Sequence, residues 1–175
     1  MLKVATKIGA STSAAVFLEE PESLPMNDGV VELLVESTAL HGFKLQSKVG
    51  SPLYVRLFYF DATDFSIGDM FGHEVVNGEG AANIAPRGHL LIGGGADGGT
   101  PLRLKVSSSN NLELGYIKLF WSTEQLELED IAQKSAFELR HGTFRGFDPI
   151  DKNIDAYGKW GAEFLAVILQ RERSN

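Results

Sequence analysis

Five residues able to bind a cation or move a proton crowd one short stretch: Asp61, Asp64, Asp69, His73 and Glu74. Hard cations take six to eight oxygen ligands, so Asp61, Asp64, Asp69 and Glu74 are the candidate metal-binding set and calcium the cation they suit. Their spacing matches no EF-hand loop. Phe65, Ile67 and Phe71 lie between the acids and are expected to anchor this segment on the core. Without an ion the stretch reads as a solvated acidic loop. No other cofactor is expected.

The densest glycine run spans residues 92–100, with Gly94 and Asp97 at its centre. Bare backbone amides can cradle an anion or let a ligand approach closely, which makes Gly94 and Asp97 candidate ligand contacts. The run lacks the Lys and Ser/Thr of a P-loop and opens no helix, so the alternative is a turn or bulge between two strands. Residues 140–160 mix Arg140, His141, Arg145, Asp148, Tyr157 and Trp160 with glycine and further aromatics. Rings supply rigid contact area while charged groups fix orientation, the combination a glycan or peptide site uses. The competing reading has Phe144, Tyr157 and Trp160 plugging one end of the fold.

Catalytic constellations are sparse. His41, His73, His89 and His141 show no HxH or HExxH spacing, and no Gly-x-Ser-x-Gly elbow is present. A triad could arise only from distant loops, which keeps a hydrolase as the last reading.

These residues need elements to hold them, and the local signals are strand signals. Residues 29–36 read as a strand. Residues 51–60 are apolar on both faces and hence central, with Pro52 tolerated at the strand start. Residues 89–92 form a short strand. Residues 101–106 alternate, with Leu102, Leu104 and Val106 inward and Arg103 and Lys105 outward. Across a turn at 107–111 they are expected to form an antiparallel hairpin with residues 112–121. Residues 164–170 make another central strand, and residues 14–18 are expected to be extended. Only residues 124–132 look helical, with Thr123 as cap and acids at the start.

Short strands joined by polar turns, without crossover helices, indicate an all-β fold: an antiparallel β-sandwich with one short helix. Residues 1–175 are expected to form one domain, with 1–28 as an extended N-terminal segment and 29–171 as the core. A chain of 175 residues, 43% apolar, can bury a core of this kind. The absence of cysteine removes disulfides, thiolate metal sites and thiol nucleophiles. A net charge of −7 and scattered basic residues argue against a nucleic-acid partner. Lys7 interrupts the apolar stretch that a signal peptide would need, and no 18-residue apolar run exists. A cytoplasmic location without a membrane span is expected.

Several segments together resemble a known pattern. They are residues 51–61 (SPLYVRLFYFD), 85–95 (APRGHLLIGGG), 115–124 (GYIKLFWSTE), 133–137 (QKSAF) and 160–171 (WGAEFLAVILQR). In order and spacing they resemble the C-terminal domain that follows caspase-like peptidase domains in mushroom-forming fungi. They are more loosely similar to a β-sandwich domain attached to bacterial caspase-like proteins. The resemblance covers residues 30 to 171. It implies an appended module that recognises a partner or restrains the peptidase, whose catalytic cysteine and histidine would lie elsewhere; no catalytic residue carries over. The expectation is therefore a non-catalytic recognition module for a protein partner or such a peptidase domain. A lectin-like glycan-binding protein is the alternative, and uncovered sheet edges are compatible with a homo-oligomer.

Overall fold

Alternation of apolar and polar side chains favours extended backbone, because only a period of two places every apolar group on one side. The computed structural model of this chain describes residues 2–8, 13–17, 24–35, 40–72, 82–93, 99–106, 110–126, 128, 131–138 and 158–171. Among these residues nine strands form: β1 Leu2–Ile8, β2 Ser13–Phe17, β3 Val30–Val35, β4 Leu40–Gln46, β5 Tyr54–Asp61, β6 Ile67–Phe71, β7 His89–Ile92, β8 Leu112–Ser122 and β9 Trp160–Arg171. They build a four-stranded sheet in the order β2-β1-β4-β7 and a five-stranded sheet in the order β3-β9-β8-β5-β6. The fold is all-β.

Register decides which residues face inward. In the larger sheet Leu57 lies opposite Leu119 and Tyr59 opposite Ile117. Ile117 in turn faces Leu165, and Leu169 lies beside Leu33. The smaller sheet contributes Phe43, Leu90 and Ile92, whose strands pair through Phe43–Ile92 and Leu45–Leu90. These side chains share one buried cluster, so the core lies between the larger sheet and the β4–β7 half of the smaller one. Entry into β3 is made by a tight turn. Asn27 and Val30 exchange both backbone hydrogen bonds, while Asp28 and Gly29 have φ of 49° and 79°. This is the pairing for which Asp-Gly is favoured.

Several expectations need correction. β3 runs parallel to β9, so the larger sheet is mixed rather than antiparallel. Residues 103–106 join no ladder; Leu102 alone bridges to His41, while β8 is flanked by β5 and β9. The predicted 101–121 hairpin is absent because both sides of β8 are already taken. Leu102, Leu104 and Val106 nevertheless pack against the core, as their alternation implies. No helix occurs among the described residues of 124–132, where Ile131 N–H donates to Leu128 O in an isolated turn. Just beyond, Gln133 exchanges backbone bonds with Ile67, so pairing to β6 competes with local helix formation. The acidic stretch after β5 is a hairpin, since Ile67–Phe71 returns along β5 with a register shift at Leu57/Phe58. β1 pairs with both β2 and β4, which makes the N-terminal segment part of a sheet.

Two aromatic rings sit over strand glycines on the core side. A Cβ on Gly161 would lie 2.5 Å from Trp121 Cζ2, and one on Gly115 would collide with the Tyr59 ring. Gly161 faces Trp121 directly across the ladder. Replacing a strand glycine by alanine ordinarily gains about 0.5–1 kcal/mol, whereas overpacking costs about 1–3 kcal/mol. Overpacking wins here, because the added methyl meets the body of a large indole packed against the core, which must leave its place over Gly161. Gly161→Ala should therefore lower stability by about 1–2 kcal/mol in urea titration; an unchanged or higher midpoint would show that Trp121 moves away freely.

Candidate functional site

The larger sheet has two faces, and each carries polar or aromatic groups that ordinary core packing does not require. On the core side Glu113 is buried, and Asn110 Nδ2 donates to its Oε1 at 3.1 Å. Tyr59 is pushed up from 10.0 to about 12, first by burial and then by the charges of Asp61, Glu113 and Asp64. A raised phenol pKa means that the fold favours the neutral ring. That stability is fully present below pH 10 and is lost as pH rises through about 12. Alkaline spectrophotometric titration should accordingly show a tyrosine component near pH 12 that disappears in Tyr59→Phe. Ionisation of every phenol near pH 10 would contradict this environment.

The opposite face holds a second, smaller cluster. Phe58 is 0% exposed, although its neighbours Val55 and Leu57 point the other way, into the core. The Arg56 guanidinium lies 5.3 Å from its ring centre, and Phe120 meets it edge-on at 5.9 Å. Arg56 Nη2 donates to Asp69 Oδ2 at 2.6 Å, with side-chain exposures of 5% and 22%. A buried guanidinium needs a counter-charge, and this is what Asp69 supplies. Asp69→Ala should lower unfolding free energy by about 1.5–3 kcal/mol, measured by urea denaturation; a loss no larger than that of an exposed surface pair would refute a structural role for the ion pair.

That bond also separates Asp69 from the other acids proposed as metal ligands. Asp61 Oδ1 accepts from the backbone N–H groups of Thr63 and Asp64, and Asp64 Oδ1 accepts from Ser66 N–H. Hydrogen bonds from Ser66 hold the Asp64 carboxyl below its ordinary pKa. Asp61 and Asp64 thus close the β5–β6 turn. Asp69 pairs with Phe58, three residues back along β5 from Asp61, roughly 10 Å away. Glu74 and His73 lie outside the described residues. Among the described residues no group of three or more His, Asp or Glu side chains could hold a metal ion. Phe65 does not anchor the turn on the core: it is exposed, has φ 62°, and its ring contacts Phe137. The strap over this turn is instead polar, since Gln133 Nε2 donates to Phe65 O and Ser135 Oγ to Asp64 O.

Of the candidate ligand contacts, Arg140, His141, Arg145, Asp148, Tyr157, Gly94 and Asp97 lie outside the described residues. Trp160 is described, and it does not plug the end of the fold: it opens β9 and is 69% exposed. Gly93, next in sequence to Gly94, has φ 85°, and a Cβ there would lie 3.0 Å from Pro101 Cα, so glycine suits this turn. His41 and His89 sit on paired strands, yet His89 lies opposite Gln46, five residues from His41, so the imidazoles do not meet.

Trp160 belongs to an arrangement that the linear reading missed. Alternation along β9 puts Phe164 on the same face, and Tyr116, opposite Ala166, lies diagonally beside it. Trp160, Phe164 and Tyr116 are 69%, 73% and 39% exposed, and exposed Leu112 and Leu34 extend the strip. The four-residue spacing of Trp160 and Phe164 carries the signal, but the apolar run of residues 164–170 on both faces points to a central strand with Phe164 in the core and leaves Trp160 to the preceding segment.

A cavity of about 440 Å³ lies at the Leu119–Trp121 end of β8, on the core side and thus on the opposite face from Trp160. Leu53, Val55, Ile84, Leu119 and Trp121 form its apolar wall. Lys44, Gln46, Lys48 and Glu163 also line it. The frame is tied by backbone bonds: Ser47 N–H donates to Gly88 O, Arg87 N–H to Val49 O, and Leu53 and Ile84 exchange two bonds. Val55 N–H donates to Asn83 Oδ1 at 2.8 Å. Glu113 and Tyr59 lie away from this space, with Glu113 separated from Trp121 by roughly 27 Å of strand.

No protein family, no curated protein and no solved structure matches this chain. Among the described residues no helix is long and apolar enough to cross a membrane.

Proposed function

We propose that this chain is a non-catalytic recognition module that docks a protein partner through the outer face of β8 and β9. The observation that carries the reading is the strip of Trp160, Phe164 and Tyr116, exposed together on a face pointing away from the core. Contiguous apolar surface of this kind is rare on monomeric proteins and marks interaction sites. Aromatic side chains dominate interface energetics because they bury large area at little entropic cost.

A glycan would also stack on such rings. It would in addition need a dense set of hydrogen-bonding groups around them. The same face presents Leu112, Leu34, Ala162 and Ile168 beside Lys118 and Gln170, a balance that favours a protein surface. The resemblance to domains that accompany caspase-like peptidases makes such a peptidase domain the first bait.

The test compares the intact chain with a Trp160→Ser/Phe164→Ser double variant, both immobilised against extract of the source cells, against a caspase-like peptidase domain and against a glycan array. Folding of the variant is checked by circular dichroism. The expected result is a protein ligand retained by the intact chain and weakened about thirtyfold or more in the variant, with a blank array. Equal retention by both would move the interface elsewhere, and selective glycan capture abolished by the variant would replace this reading with the lectin-like one.

A further inference from the structure

We propose that the cavity beside Trp121 binds a small amphipathic carboxylate, with its apolar body against Leu119, Val55 and Ile84 and its head group at Lys44 and Lys48. This site is separate from the outer face of β8 and β9 and does not depend on the reading given above for that face.

Three features support it. The volume of about 440 Å³ lies within the range of sites that enclose small molecules. The wall combines aliphatic residues with an indole, so burial of an apolar body supplies the attraction, while polar groups at the mouth set orientation. The frame is also fixed by the bonds joining Ser47 to Gly88, Val49 to Arg87 and Leu53 to Ile84, so little ordering is needed on binding.

Charge selects the head group. Two lysines and one glutamate line the cavity, leaving a positive excess in a chain whose overall charge is −7. Lys44, Lys48 and Glu163 are exposed, and so can meet a head group in solvent without the cost of burying a charge. Glu163 stands opposite Leu119 and would repel an anion, which sets a limit on affinity and offers a test of sign.

The experiment uses the full chain carrying Trp160→Phe, so that Trp121 is the sole indole, and follows its emission during titration with decanoate, decanol and decylamine, which share one tail. Saturable binding of decanoate is expected, about fivefold tighter than decanol, with decylamine weakest. Lys44→Gln/Lys48→Gln should weaken decanoate about tenfold and leave decanol unchanged, while Glu163→Gln should tighten decanoate. Absence of saturable change up to about 10 mM decanoate, equal binding of decanol, or a carboxylate preference that survives loss of both lysines would overturn the proposal.

Discussion

The ladder that β8 makes on both of its sides is the constraint on which the larger sheet depends. β8 is paired with β9 along its whole length, from Leu112–Gln170 to Ser122–Trp160, and with β5 from Tyr54–Ser122 to Asp61–Gly115. Because side chains alternate with a period of two, slipping this register by one residue would turn Ile117 and Leu119 outward and drive Tyr116 and Lys118 into the core. Gly115 and Gly161 add a second specification. Each lies beneath a ring, Tyr59 in one case and Trp121 in the other, and a shifted register would set those rings against side chains. Packing therefore selects the same alignment as backbone hydrogen bonding.

Once the register is set, the two faces of one sheet take on different roles. The inner face closes the core but leaves a cavity beside Trp121, and it tolerates Glu113 and Tyr59 because the acid is hydrogen-bonded and the phenol stays neutral. The outer face is divided. Over β5 it buries Arg56 with Asp69, Phe58 and Phe120, a charge made tolerable by its partners. Over β9 it leaves aromatic rings in solvent. Groups held on paired strands are positioned more rigidly than groups on loops, and the aromatic strip proposed as a docking face lies wholly on such strands.

The acidic hairpin shows how the same residue types can serve structure. Asp61 and Asp64 satisfy backbone donors in a tight turn, the commonest employment of aspartate there, and Asp69 neutralises a buried arginine. Four acids in one stretch suggested a cation site. The pleat and turn of the hairpin instead give the three described acids separate tasks.

Strand positions were legible in the linear order of residues wherever the signal was local. β3, β5, β7, β8 and β9 all fall where alternating or continuous apolar runs are bounded by turn residues, and the lack of cysteine excludes thiol chemistry regardless of folding. β4 gives no such signal because His41 and Gly42 break its apolar pattern, and β6 gives none because Gly68 and Asp69 interrupt it. What only the tertiary structure decided is which distant segments meet. The parallel union of β3 with β9, the exclusion of residues 103–106 from the ladder, the cavity framed by Lys48, Ile84, Trp121 and Glu163, and the outward turn of Trp160 all depend on such pairings. Local periodicity records how a strand divides its own side chains between two faces; it holds no record of which other strand will lie beside it, or of which face will be covered.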